Sequence, residues 1–449
     1  MSDTIKIKRG LDIKLRGAAM SVITPYESDF YAIQPTDFIG ITPRLKVQEG
    51  DAVKAGTVLF VSKADERIAF VSPTSGIVQS IVRGEKRLLK AVVVRPDGQD
   101  ESISYDVDTL SSNIIKDILL KSGLWPAIRQ RPYSTIANPD DSPTRFYVSA
   151  FDSSPLAPNM DYIVEQYPDS FQKGLDIIAL MIGQKIHLSV HDQHNKSDIF
   201  LKAKNVVLHH FSGPHPSGNI STQINKTKPI NKGDIIWYCH PQDIIAIGKL
   251  FNTGQYDSSR IVALTGSQVK QPHYYRTHIG TSLSGIAIDN LKDGSNRYIS
   301  GNVLTGHKIE ADGFMGFYHN QFTIIPEGDY YEMLGWIWPG FKKFSFSRTF
   351  ISSFLPSFLK PDISLDTNTH GEARPFVVTG EFEKVFPLDI YPMQLIKACI
   401  VRDIDLMENL GIYEVDEEDF ALCEFIDPSK TEIQKIIREG INLVRKELG

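Results

Sequence analysis

Near the C-terminus, eight positions carry the spacing of an iron–sulfur motif without its ligands. Two short segments end in proline, at Tyr391-Pro392 and at Asp427-Pro428. The bacterial ferredoxin run Cys-x2-Cys-x2-Cys-x3-Cys-Pro ends in the same way, and its thiolates hold the clusters. Counting back from each proline at that spacing gives Glu381, Lys384, Pro387 and Tyr391, then Glu417, Phe420, Cys423 and Asp427. Only Cys423 is a thiol, and one thiolate does not hold a cluster. If this is a ferredoxin-like scaffold it has lost its metal, and two prolines at such spacing also arise by chance; the C-terminal region 331–449 is expected to be helical.

Histidines are the other candidates for metal chemistry. His187, His191 and His194 have i, i+4, i+7 spacing, which on a helix would gather zinc ligands. Ile186 to Val190, however, alternates like a strand and spreads the rings. His209, His210 and His215 run into Pro214, Pro216 and Gly218, a loop composition. No metal site is expected from either group. No catalytic residue is assigned, because no nucleophile, base and orienter stand together. The GxGxxG and Walker A phosphate loops are also missing. Cys399 reads as a core thiol. Cys423 lies beside the acidic run Asp416-Glu417-Glu418-Asp419, which disfavours a thiolate.

Composition narrows the classes further. The chain has 449 residues and a net charge of −6, with no clustered basic face for nucleic acid. Three widely separated cysteines suit a reducing compartment better than a disulfide framework. The opening MSDTIKIKRG lacks the apolar core of a secretory leader. No run of about 18 apolar residues predicts a membrane span.

The elements that must position these residues read as an α+β multidomain chain. Residues 1–104 are expected to be a barrel-sandwich hybrid β-domain of the biotinyl/lipoyl type. Turn residues punctuate alternating strands at Glu49-Gly50-Asp51 and Pro73-Thr74-Ser75-Gly76. The turn Lys63-Ala64-Asp65-Glu66-Arg67 lacks the Met-Lys or Asp-Lys setting of a cofactor carrier, so a rigid barrel is expected. Residues 105–255 alternate helix and strand and predict a Rossmann-like α/β domain. Residues 256–330 return to strands and resemble a soluble-ligand-binding β-grasp (SLBB-like) domain. Within 331–449, Trp336, Trp338, Phe341, Phe344 and Phe346 interleave with Lys342, Lys343 and Arg348. That mixture suits a membrane interface or a partner surface. Leu395 to Leu406 follows helical spacing until Gly411, and Ser429-Lys430-Thr431-Glu432 predicts a capping box for a final helix.

From end to end the chain resembles the NqrA family, the A subunits of the sodium-translocating NADH:quinone reductases of bacterial respiratory membranes. The resemblance is carried by IKIKRGLDI, SGLWPAIRQRP, GPHPSG, RTHIGTSL, FPLDIYP and EEDFALCEFIDPSK. That family in turn resembles the C subunit of the Rnf complex and the flavin-binding subunit of respiratory complex I. The relatives' cysteines fall at the eight positions above. Their glycine-rich flavin loop falls at Leu124 to Pro132, which here has no glycine and two prolines without N–H donors.

The resemblance implies a cofactor-free peripheral subunit on the cytoplasmic face of the inner (plasma) membrane. NADH, flavins and Fe–S clusters would belong to the other subunits of the six-subunit complex. The expected partners are those subunits, especially the membrane-embedded quinone-proximal one. Trp336, Trp338, Lys342, Lys343 and Arg348 are the expected contacts with a partner or the membrane. Two alternatives remain open. A vacated flavin site could bind quinone directly, with Trp125, Arg129 and Tyr133 as candidates, or the chain could be a purely structural docking scaffold.

Overall fold

The computed structural model describes residues 4–193, 195–332, 340, 343–348, 350–354 and 365–449. His194, Trp336, Trp338 and Lys342 lie outside the described residues.

At the centre is a seven-stranded sheet. Its strands run in the order Ile5–Lys6, Val206–Ser212, Ile186–His191, Arg145–Ser149, Ile236–Cys239, Arg129–Arg131, Thr135–Ile136. The first five are parallel and the last two antiparallel. Three strands in succession are laid down in one direction from Arg145–Ser149. The next, Ile236–Cys239, is added on its other side. A crevice opens where the order reverses, at the carboxyl ends of these two strands.

Each strand alternates its side chains between the two faces. Phe146, Val148, Trp237 and Cys239 face the helices Ser112–Lys121, Pro168–Ile182 and Pro241–Thr253. Two of these helices open on proline at the first helical position, where no N–H is needed. Glycine brings the same pair together: a Cβ on Gly174 would collide with the Ile244 carbonyl, and one on Gly248 with the Ser170 carbonyl. Tyr147, Ile236 and Tyr238 face the other way. They pack on Ile220–Thr227 and on the C-terminal helices Pro392–Val401, Ile404–Asn409, Ala421–Ile426 and Ile433–Leu448.

The barrel-sandwich core is Leu59, Phe60, Phe70, Val78, Val92 and Val94, between a four-stranded and a three-stranded sheet. Its Lys63–Arg67 turn is exposed, and Arg67 forks onto Asp65 and onto Asp140 of the α/β unit. A six-stranded sheet around Ser259–Thr265 forms the third unit. Two strands of the expected first unit pair outside it. Ile5–Lys6 edges the seven-stranded sheet, and Met20–Pro25 lies parallel to His273–His278 in the six-stranded one.

Three local expectations are corrected. The capping box at Ser429–Glu432 does not form. The Asp427 carboxylate takes the Ser429 and Thr431 amides instead, and the helix starts at Ile433. A reciprocal box closes earlier, between Asp416 and Asp419. The helix from Pro392 stops at Val401, because Arg402 turns left-handed with φ 58°. Finally, His209 and His210 sit in the strand Val206–Ser212, with only His215 in the loop beyond.

Substituting Gly174→Ala or Gly248→Ala should cost about 3 kcal/mol or more, because backbone rather than a flexible side chain blocks the methyl. Thermal unfolding of each variant against the wild type measures this.

Candidate functional site

The crevice at the strand-order reversal is the mouth of a cleft of about 810 Å³. All four units supply its walls. Ser149, Asp152, Tyr238 and His240 come from the ends of the two central strands. Asp37 comes from the barrel unit, Asn302 and Tyr318 from the third unit, and Asp416, Glu418 and Arg438 from the C-terminal helices.

Arg129 is the residue on which the geometry converges. It stands opposite Tyr238 in the antiparallel pairing of Arg129–Arg131 with Ile236–Cys239. This cross-strand neighbour holds the guanidinium 4.6 Å from the Tyr238 ring centroid. Tyr318 closes the other side, also at 4.6 Å. Its hydroxyl donates to the Pro126 carbonyl at 2.7 Å, which fixes the ring. Two such contacts keep the cation in place. The Arg129 guanidinium makes no hydrogen bond among the described residues, so its donors remain available.

Arg131, on the same strand face, is wholly buried and does a different job. It donates to Ser134 Oγ at 2.9 Å and to the Glu414 carbonyl at 2.8 Å, and it pairs with Asp416 at 3.3 Å. Arg438 grips the same turn from the last helix, pairing with Asp416 and Glu417. The acidic turn is thereby pinned along one wall of the cleft.

Burial sets the protonation states around the cavity. It pushes the Glu418 carboxyl up to about 8, with Asp416 and Asp419 adding to the effect and Arg129 opposing it. Asp37 is pushed up to about 7 by burial, against the hydrogen bond from the Phe317 amide. His240 and His319 are driven down to about 3, mainly by burial, and remain neutral. His240 Nδ1 accepts from the Gln242 amide at 3.2 Å and caps the helix that follows. His215 is held at about 4 by burial, with its ring against Ser153 Oγ at 3.0 Å. Among the described residues, no group of three or more His, Cys, Asp or Glu side chains is arranged to hold a metal ion.

Of the quinone candidates read from sequence, Arg129 lines the cleft. Trp125 is 0% exposed, donates through Nε1 to the Ala137 carbonyl at 2.8 Å, and meets Trp237 edge-on at 5.4 Å. Tyr133 packs edge-on against Tyr413 at 6.2 Å, and its carbonyl accepts from Arg438. The three are not brought together. Sequence reasoning missed Tyr238, Tyr318, Asp37 and Glu418. A signal existed for Tyr238 alone, because Ile236-Trp237-Tyr238-Cys239 ends a strand directly before His240-Pro241. Of the expected contact residues that the structure describes, Lys343 pairs with Glu332 and lies 5.7 Å over the Phe350 ring. Arg348 is exposed.

Three family models match the chain: the NqrA N-terminal barrel-sandwich hybrid domain over residues 5–97, the NqrA second alpha/beta domain over 110–256, and the NQRA C-terminal domain over 261–311. A protein of Yersinia pseudotuberculosis is 37% identical over 453 residues, covering 99% of this chain and 100% of its own. One from Neisseria meningitidis is 38% identical over 454 residues, with the same coverage. Both are named as the A subunit of the Na(+)-translocating NADH-quinone reductase. The chain belongs to this family. Na(+)-translocating NADH-quinone reductases are oxidoreductase complexes of several subunits, and the NqrA chain is one of them. Among solved structures, an air-oxidized NAD+-reducing [NiFe]-hydrogenase overlaps 75% of this chain and 61% of its own, at TM-score 0.39 and 11% identity, which is too loose to carry an argument. No helix among the described residues is long and apolar enough to cross a membrane.

His215 gives the site a measurable acid response. An unfolded histidine takes its proton near pH 6.5, whereas the folded one waits until about 4. Its stabilising contribution is therefore complete above pH 6.5 and is lost as pH falls towards 4. The stability gap between wild type and His215→Asn should narrow over that window by up to about 1.4 kcal/mol per pH unit. Urea titrations at several pH values between 7 and 4.5 read this.

Proposed function

We propose that this chain is a cofactor-free peripheral subunit of the sodium-pumping NADH:quinone reductase. It supports electron transfer from NADH to ubiquinone or menaquinone, coupled to sodium export. On the cytoplasmic face of the inner membrane it docks to the membrane-embedded, quinone-proximal subunit. Flavins and Fe–S clusters belong to other subunits. The domain limits 1–104, 105–255, 256–330 and 331–449 are part of the same reading.

The observation that carries it is the packing at Trp125. Flavin-binding relatives have a glycine loop there, whose amides can approach a phosphate. This chain has a wholly buried indole, and the Pro126 carbonyl beside it is taken by Tyr318. Cys423 agrees with it. The thiol is 0% exposed, and burial, with Glu383, Asp419 and Asp427 nearby, pushes it far above the ordinary range. Such a sulfur is a core hydrophobe rather than a cluster ligand.

The purified chain should be colourless, with no visible flavin or iron–sulfur band and no stoichiometric iron. A stoichiometric flavin would overturn the reading. For docking, Arg348→Glu should reduce recovery of this chain with the purified complex.

A second reading is favoured by the Arg129 clamp: the cleft takes the quinone directly. Its volume of about 810 Å³ lies in the ordinary range for small-molecule pockets. A guanidinium with free donors between two aromatic rings suits a flat ring that carries carbonyl oxygens. Arg129→Ala should then weaken binding of a short-chain ubiquinone tenfold or more, read by tryptophan quenching. A wild-type chain without saturable binding would leave the docking-scaffold role.

A further inference from the structure

The cleft contains three polar groups that the protein leaves without partners. The Arg129 guanidinium lies against two rings and makes no hydrogen bond or ion pair among the described residues. The Tyr238 hydroxyl belongs to a residue 4% exposed and has no hydrogen-bond partner. The Glu418 carboxyl makes no hydrogen bond or ion pair among the described residues. Its neighbours differ: Asp416 and Glu417 pair with Arg438, and Asp419 takes the Asp416 amide at 2.8 Å. A buried polar group without a partner costs about 1–3 kcal/mol. The Tyr238 hydroxyl is such a group, and the half-buried Arg129 and Glu418 add polar atoms open to the same cavity; together they form a place prepared for a ligand's polar atoms.

We propose that Glu418 and Tyr238 donate hydrogen bonds to the carbonyl oxygens of the cleft's ligand, so that the site selects an oxidised quinone over its quinol. This rests on the reading of the cleft as a quinone site. The selectivity follows from the inventory of groups. A guanidinium has donors only. A protonated carboxyl and a phenol each contribute a further O–H. A quinone offers two acceptor oxygens and no donor, so it satisfies such a wall. A quinol brings two more O–H groups, for which these three groups supply as acceptors only the phenol oxygen and the carbonyl of the protonated carboxyl.

The charge state of Glu418 is set by groups on every side. Asp416, Glu417 and Asp419 flank it on its own turn. Arg129 and Arg131 act on it from the sheet edge, Arg438 on the last helix pairs with its neighbours Asp416 and Glu417, and Asp37, His307 and His319 line the same cleft. Burial and the flanking carboxylates outweigh the arginines and push it up to about 8, so it carries its proton at neutral pH. Above that it becomes an acceptor, and the preference for the oxidised ligand fades.

The test uses the full chain, with short-chain ubiquinone and ubiquinol as probes, titrated by tryptophan fluorescence from pH 6.5 to 9. Ubiquinone affinity should be level to about pH 7 and about tenfold weaker at pH 9. Glu418→Gln, which still donates, should bind like wild type at pH 7 but with a flat profile. Glu418→Ala should bind about tenfold more weakly at pH 7, also with a flat profile, and Tyr238→Phe several-fold more weakly. Circular dichroism establishes that each variant is folded. Saturable binding that is flat across pH and equal in Glu418→Ala would overturn this assignment and leave the quinone reading intact. No saturable binding by wild type, or binding indifferent to Arg129→Ala, would end the quinone reading and this proposal with it.

Discussion

A parallel sheet must be covered on both faces, and the rest of this chain is arranged around that requirement. The helices of the α/β unit cover one face. On the other, Ile220–Thr227 is the helix that the unit itself supplies, and it is short. Tyr147, Ile236 and Tyr238 are buried instead in one continuous core with Phe382, Leu395, Ile396, Phe420 and Ile441 of the C-terminal region. Those helices close the sheet whether or not they ever held metal. The C-terminal scaffold is thus required for packing in its own right. Removing it would expose the apolar face of the central strands.

The same closure requires charge in the interior. Arg131, Asp416 and Arg438 meet where the sheet edge touches the acidic turn, and Arg131 is wholly buried. A buried ion network adds little net stability over an apolar equivalent, but losing one member strands the others at a cost of several kcal/mol. What it supplies is register. Forked guanidinium contacts fix the turn at residues 416–419 relative to the strand Arg129–Arg131. The position of Glu418 opposite the Arg129 clamp follows from that alignment.

Much of the layer order was legible because periodicity is local. Pro168–Ile182 and Ile186–His191 announce themselves through 3.6- and 2-residue spacing. The barrel turns were marked by glycine and proline. Of the residues that line the cleft, the sequence reading singled out Arg129 and hardly any other. Asp37, Tyr238, Tyr318 and Glu418 belong to four different units and meet only through long-range packing, which no spacing rule encodes. Trp125 misled in an instructive way. Its type suits a ring-binding site, but an indole beside a sheet edge fills the core when the carbonyl of Ala137 is within reach of its N–H. The final helix also began later than its Ser-Lys-Thr-Glu signature suggested, because Asp427 competes for the same amides.

The first twenty-five residues have a consequence for how the chain is made. Ile5–Lys6 pairs with Phe211 and Ser212, and Met20–Pro25 with His273 to Arg276. Synthesis runs from the N-terminus at roughly 5–20 residues per second. The barrel between them can close as soon as it emerges. Its leading segment, by contrast, waits on the order of ten seconds or more for the first partner strand and longer for the second. During that interval a strand carrying Met20 and Val22 on an open edge hangs free beside the ribosome. The residues ahead of that strand carry Lys6, Lys8, Arg9, Lys14 and Arg16, and charge beside an open edge opposes premature pairing with a neighbour.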